Sequence, residues 1–202
     1  ALGEDGSVWV WGYNNNGQLG LGNPGINNST DTSGGPTSTA FYSANVTRPV
    51  RLPQSYFDGR QIVDMWVSGS EEAWFHCLDE QGQLWGWGHN QHGELGVGNR
   101  SGSYYYTHPQ RIGINWNRYG GIKMYQTTHS NGGHSCTHIL DGEGYMWFTG
   151  YTTSGAWPIG SPGYTGTHHI GSFRREGHFL NGDIDYFWCG GDENKWLYIR
   201  QK

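Results

Sequence analysis

His129, His134 and His138 fall within one ten-residue stretch. They are the closest approach in this chain to the three or four imidazole, thiolate or carboxylate ligands that zinc requires. A second pair, His168 and His169, is adjacent. Neighbouring side chains on a strand leave opposite faces, so a shared ion is disfavoured and a loop pair is expected. Glycoside hydrolysis needs two suitably separated acids, and Glu71, Glu72, Asp192 and Glu193 are available. There is no Gly-x-Ser-x-Gly elbow and no phosphate-binding loop. The thiols are Cys77, Cys136 and Cys189; their odd number and strand-like settings predict buried free cysteines rather than a disulfide framework.

The elements that would carry these groups are written in a repeat. Residues 2–23 and 78–99 share Gly6/Gly82, Trp9/Trp85, Trp11/Trp87, Gly12/Gly88, Asn14/Asn90, Gly17/Gly93, Leu19/Leu95 and Gly20/Gly96 at a constant offset of 76. A weaker copy places Leu140, Asp141, Gly144, Trp147 and Gly150 where the second has Leu78, Asp79, Gly82, Trp85 and Gly88. The preceding segment repeats as well, with residues 65–78 running parallel to 187–200 and, with about three extra residues, to 124–140. The unit is therefore roughly 60 residues, a tandem supersecondary element whose apolar face is buried by stacking on its neighbours. Within it, aromatic and branched runs bounded by Gly, Asn, Asp and Ser predict strands, and no helix is predicted. Gly6, Gly82 and Gly144 are placed to close hairpins. Leu19 and Leu95 are expected to plug the glycine-rich loop into the core.

The Trp-Gly-x-Asn-x-x-Gly-Gln-Leu-Gly order, met by residues 11–20 with Tyr13 and Asn14 in its centre, resembles the regulator-of-chromosome-condensation repeat. Asn131-Gly-Gly-His134-Ser135 is the nearest copy of that family's Gly-x-x-His-Ser segment. The resemblance implies an all-β fold: β-propeller blades of four-stranded antiparallel sheets, usually seven in a ring. Here two complete and two half units give about three blade equivalents, a partial propeller or one completed between subunits. The expected layout is a half blade at 1–23, an insertion at 24–48, a blade at about 49–109, a degenerate blade at about 110–160, an insertion at 161–183 and a half blade at 184–202. Two origins are expected for the half blades: a segment of a longer chain, or copies that complement one another into a ring or filament.

The alignment also sorts residues. His138 recurs as His76, and His134 sits at the family's His-Ser position, so all three are read as scaffold and no metal is expected. Propeller glycosidases carry Ser-x-Asp-x-Gly-x-x-Trp turns, whereas the turns from Asp79 and Asp141 have a different spacing, and no enzymatic activity is expected. No cofactor is implied. The family's exchange, inhibitory and adaptor functions cannot be carried over residue by residue, because the match is confined to scaffold positions.

Eleven Trp, thirteen Tyr and 35 Gly in 202 residues suit aromatic cores joined by many turns. A net charge of -5 argues against nucleic acid, and no hydrophobic run approaches membrane-spanning length. Sequons at Asn27, Asn28, Asn45 and Asn99 lie in loop-like sequence. Loops on a rigid scaffold are where recognition concentrates. The expected contacts are Phe41 and Tyr42 at the end of the first insertion, Tyr104, Tyr105 and Tyr106 in a shorter loop, and Tyr164, His168 and Arg174 in the second. The style of the chain predicts a recognition or structural module of an extracellular or virion appendage, such as a phage tail fibre, binding a protein or glycan receptor. The alternative is an intracellular protein-interaction propeller of exchange-factor or adaptor type in the cytoplasm; a propeller hydrolase ranks third.

Overall fold

The computed structural model describes residues 1–14, 17–22, 45–69, 73–98, 105–128, 135–152, 168–175, 182–190 and 196–202. Contacts divide the chain into two compact units, one of residues 1–91 and 101–114, the other of residues 92–100 and 115–202.

The first unit begins with β1 (Trp9–Gly12) and β2 (Val46–Arg51), an antiparallel pair in which Val10 faces Val50. Then β3 (Ile62–Ser68), β4 (Trp74–Asp79), β5 (Gln83–His89) and β6 (Tyr105–Asn115) form a four-stranded sheet in chain order, with the last residue of β6 in the second unit. Sequence dictates the β4–β5 hairpin directly. Gly82 takes φ 76°, as predicted, and its N–H donates to the Asp79 carbonyl at 2.9 Å. A 3-10 turn at Gln54–Phe57 swings Phe57 under Trp85, ring edge on face at 5.8 Å and 89°. That geometry adds about 1 kcal/mol to the burial of the two rings. Val8, Val10, Leu19, Leu52 and Ile62 complete this core with Trp87.

The second unit repeats the scheme. Strands β7 (Ile122–Thr128), β8 (Cys136–Asp141), β9 (Met146–Thr152) and β10 (His168–Arg175) form a sheet in chain order, and β11 (Ile184–Gly190) pairs with β12 (Trp196–Gln201). A 3-10 turn at Trp116–Tyr119 plays the part of the earlier one, with Trp116 and Tyr119 edge-on to Trp147 at 5.3 and 4.8 Å. Leu140, Met146, Ile184, Phe187 and Cys189 form a further core cluster here.

The four-stranded antiparallel blades expected from the repeat are thus present, flanked by two-stranded partial sheets. Their boundaries move. The stretch 161–183, read as an insertion, contains β10, the fourth strand of its sheet, and β2 begins inside the stretch 24–48. The fourth strand lies at the edge of its sheet, and β10 is further interrupted by a register shift between Ile170 and Arg174, so its sequence is free to drift from the repeat. The two short 3-10 turns were not predicted either.

Candidate functional site

A catalytic acid pair was one possibility raised by the sequence, and the two buried hairpin carboxylates, Asp79 and Asp141, are engaged otherwise. Asp79 is buried, and its Oδ1 accepts the N–H groups of Gln81 and Gln83 at 3.0 and 2.8 Å. Its Oδ2 accepts the Trp85 indole N–H and the Arg60 guanidinium, each at 3.0 Å. Asp141 repeats the pattern on Tyr145 N–H and the Trp147 indole, both at 2.8 Å. One carboxylate therefore closes a hairpin and orients the motif tryptophan. In the first copy the position belongs to Gly3, and Trp9 donates instead to the Ser7 hydroxyl at 2.9 Å. Glu71, Glu72, Asp192 and Glu193 lie outside the described residues.

The histidines divide similarly. His76 and His138 are both buried strand residues, as their repeat equivalence predicts. Desolvation lowers His138 to about 3, and its Nδ1 lies 3.6 Å from Cys189 Sγ, so it is a neutral packing group. His129 and His134 fall outside the described residues, and among the described residues no set of three or more His, Cys, Asp or Glu is arranged for a metal. Cys77, Cys136 and Cys189 are free and buried, with burial pushing the first two well above the ordinary thiol range and Cys189 up to about 12. These match the sequence expectation.

His168 and His169 are not a loop pair. Both lie on β10, opposite Thr152 and Tyr151. His169 Nδ1 approaches His92 Nδ1 at 3.1 Å, and Tyr151 stands edge-on to both rings at 5.0 and 5.3 Å. His92 occupies a variable place in the repeated motif, where the first copy has Asn16, and it is separated from His169 by 77 residues. Nothing in the sequence joins them.

The expected recognition residues are scattered. Tyr106 points inward and is buried, which raises its hydroxyl pKa and removes it from the exposed aromatics; on a strand its neighbour Tyr105 must then face the other way. Tyr105 is half-buried against His89 at 5.1 Å. Arg174 is exposed on β10. Phe41, Tyr42, Tyr104 and Tyr164 lie outside the described residues, as do Asn27, Asn28 and Asn99, and the side chain of His168 is not described. Asn45 is exposed, with Oδ1 accepting the Asn14 N–H at 3.2 Å.

The outward-facing aromatics lie elsewhere, on strands classed as scaffold by the repeat. Along β1 and just beyond it, Trp9, Trp11 and Tyr13 alternate onto one face and are exposed, Trp11 by 49%. Their counterparts Trp85 and Trp87 are buried beneath Phe57. In the second unit, Tyr186 and Trp188 of β11 lie opposite Arg200 and Tyr198 of β12, and Trp188 and Tyr198 are 51% and 59% exposed. Arg200 is held by Asp185 through two bonds of 2.9 and 3.1 Å. The other face of β11 places Phe187 and Cys189 in the cluster with Leu140 and Met146. Each partial sheet thus has one face packed and one aromatic face open to solvent. Identical residue types mislead here: Trp85 and Trp147 are buried edge-on against aromatics of the 3-10 turns, whereas Trp9 is exposed.

Comparison with known proteins agrees with this architecture. Residues 5–65 match the model of the Regulator of chromosome condensation (RCC1) repeat. Among solved structures, human WBSCR16 superposes with a TM-score of 0.59 at 17% identity, over 94% of this chain and 40% of that one. Prp20p from Saccharomyces cerevisiae gives 0.57 at 20% identity, over 94% and 38%. A chain in the structure of Kap60 bound to yeast RCC1 (Prp20) gives 0.58 at 17%, over 97% and 40%. The chain spans about two-fifths of the length of each, and at these identities the likeness is one of fold. By its repeated motif, its four-stranded blades and the match over residues 5–65, the chain carries an RCC1-type repeat and is similar in fold to β-propellers of that kind.

Proposed function

We propose that the chain is a non-catalytic protein-interaction module of propeller type, which engages another folded protein through aromatic blade faces. The observation that carries this reading is the exposure of Trp9, Trp11 and Tyr13 on one partial sheet and of Tyr186, Trp188 and Tyr198 on another. Large aromatics presented on a rigid sheet are the residue types that dominate protein interfaces, since they bury much area while losing little conformational freedom. The buried acids Asp79 and Asp141 are spent on hairpin and tryptophan contacts, which favours binding over hydrolysis. The fold neighbours support the same class: Prp20p is described with binding properties toward Gsp1p and histones, and with Kap60 bound to it. This adaptor-like reading is preferred to the extracellular appendage suggested by composition, for which no neighbour speaks. Within it, a second copy completing a half blade is one candidate partner, and Tyr105 on β6 and Arg174 on β10 are candidate flanking contacts.

The test uses the full chain with a photoreactive phenylalanine analogue at position 11 or 188, and at exposed Glu143 as control. Protein adducts at 11 or 188, absent at 143, are expected. Replacing Trp9 and Trp11 with Ser is expected to weaken capture at 11 by roughly 30-fold, the scale of a hot-spot pair. Glycan-array binding without protein adducts would overturn the reading in favour of the receptor-binding appendage.

A further inference from the structure

We propose that His92 and His169 form a proton-operated clasp that fastens the β5–β6 loop to β10. The loop is docked along that strand at several points. The Gly98 N–H donates to the Gly171 carbonyl at 2.8 Å, Val97 bridges Ser172, and the Thr149 hydroxyl of β9 lies 2.7 Å from both the Gly93 and the Ile170 carbonyls. At one end of this seam the two imidazoles meet Nδ1 to Nδ1 at 3.1 Å, with ring planes 13° apart and centroids 5.0 Å apart. So short a nitrogen contact at that centroid separation sets the rings side by side rather than face to face. That arrangement admits an N–H···N hydrogen bond between the two Nδ1 atoms.

Such a bond has a definite proton count. With no extra proton, one Nδ1 donates and the other accepts. One proton, taken up on the Nε2 of the donor ring, makes the same bond charge-assisted and stronger. A second would leave two Nδ1–H groups facing each other across 3.1 Å, and the clasp must open. The groups around it bias these steps. On the loop itself the buried Glu94 carboxylate accepts the His92 backbone N–H at 2.8 Å; Glu94 also acts electrostatically on Cys136 of β8. From β9, Tyr151 is edge-on to both rings, and β10 further carries the exposed Arg174. The nearby carboxylate favours the first proton, burial of the His92 ring opposes it, and like charge opposes the second. The pair therefore titrates as a unit, in two separated steps. The charge-assisted bond is present on the acid side of the upper step and lost as pH rises through it. The contact itself is lost as pH falls through the lower step. The seam grips most firmly between the two.

The experiment is NMR titration of the histidine side chains in the full chain, with the protection factor of the Gly98 amide followed over the same range. Two separated steps are expected, together with a loss of Gly98 protection of about tenfold or more below the lower one. His169→Tyr places at this site the residue found at the corresponding strand position, Tyr105, and His92→Asn the residue of the first repeat copy, so both substitutions use residue types the repeat itself carries at these positions. Either variant should leave a single imidazole titrating once, with Gly98 protection no longer dependent on pH. Two independent steps near the ordinary value, or a Gly98 pH dependence unchanged in both variants, would overturn the proposal.

Discussion

Replacing Asp79 with Ala is the sharpest perturbation of the repeat's internal logic. Four hydrogen bonds end on this carboxylate, from Gln81 N–H, Gln83 N–H, the Trp85 indole and Arg60. In the variant the exposed Gln81 amide is rehydrated at little cost, but the indole N–H stays in a buried site and Arg60, whose side chain is only 20% exposed, loses its counter-charge. A stranded buried donor costs about 1–3 kcal/mol and a broken, largely desolvated ion pair more. Allowing for bonds that fail together, the loss is about 3–5 kcal/mol. At roughly 2–4 °C per kcal/mol for a chain of this size, the first unit should melt on the order of 10 °C lower. Urea unfolding followed at β4 and β5 amide resonances reports that unit by itself. Asp79→Asn, which keeps one carbonyl oxygen for the turn, should lose about half as much. Asp5→Ala, at an exposed site whose carboxylate takes the Ser7 N–H at 3.0 Å and lies 3.5 Å from Arg51, should lose clearly less, since water replaces both partners. An Asp79→Ala loss no larger than that of Asp5→Ala would refute the claim that this carboxylate anchors the blade.

Two further outcomes follow from buried groups. His138 is neutral when folded, with its pKa lowered by burial from 6.5 to about 3, so stability is full above the unfolded value and is lost as pH falls between these limits. His138→Gln should flatten the acid limb of a stability-against-pH curve for the second unit. The three thiols, all buried with raised pKa, should resist iodoacetamide at pH 8 in the folded chain and take up three labels in urea, as mass spectrometry can count.

The fold was readable in the sequence wherever a local rule is strong. Hairpin glycines, alternating aromatics and the Leu19 and Leu95 plugs fell where expected because turn geometry and burial leave few alternatives at those positions. Weakly specified parts escaped: β10 is the edge strand of its sheet and has a register shift, and its His168–Arg175 sequence does not repeat. The outward aromatics escaped for a different reason. Trp9 and Trp85 are the same residue in the same motif, yet Trp85 packs against Phe57 within a core cluster whereas Trp9 is exposed. The clasp was hidden because pairing His92 with His169 depends on docking a loop against a strand 77 residues away.

Oxidative footprinting of the indoles, in the free chain and in the photocaptured complex, tests the central claim most directly. The account predicts rapid oxidation of Trp9, Trp11 and Trp188 when free, strong protection of at least one of these faces when bound, and slow oxidation of Trp74, Trp87 and Trp116 in both states. Rapid oxidation of Trp87 in the free chain, or a bound state that leaves Trp9, Trp11 and Trp188 as reactive as before, would contradict it.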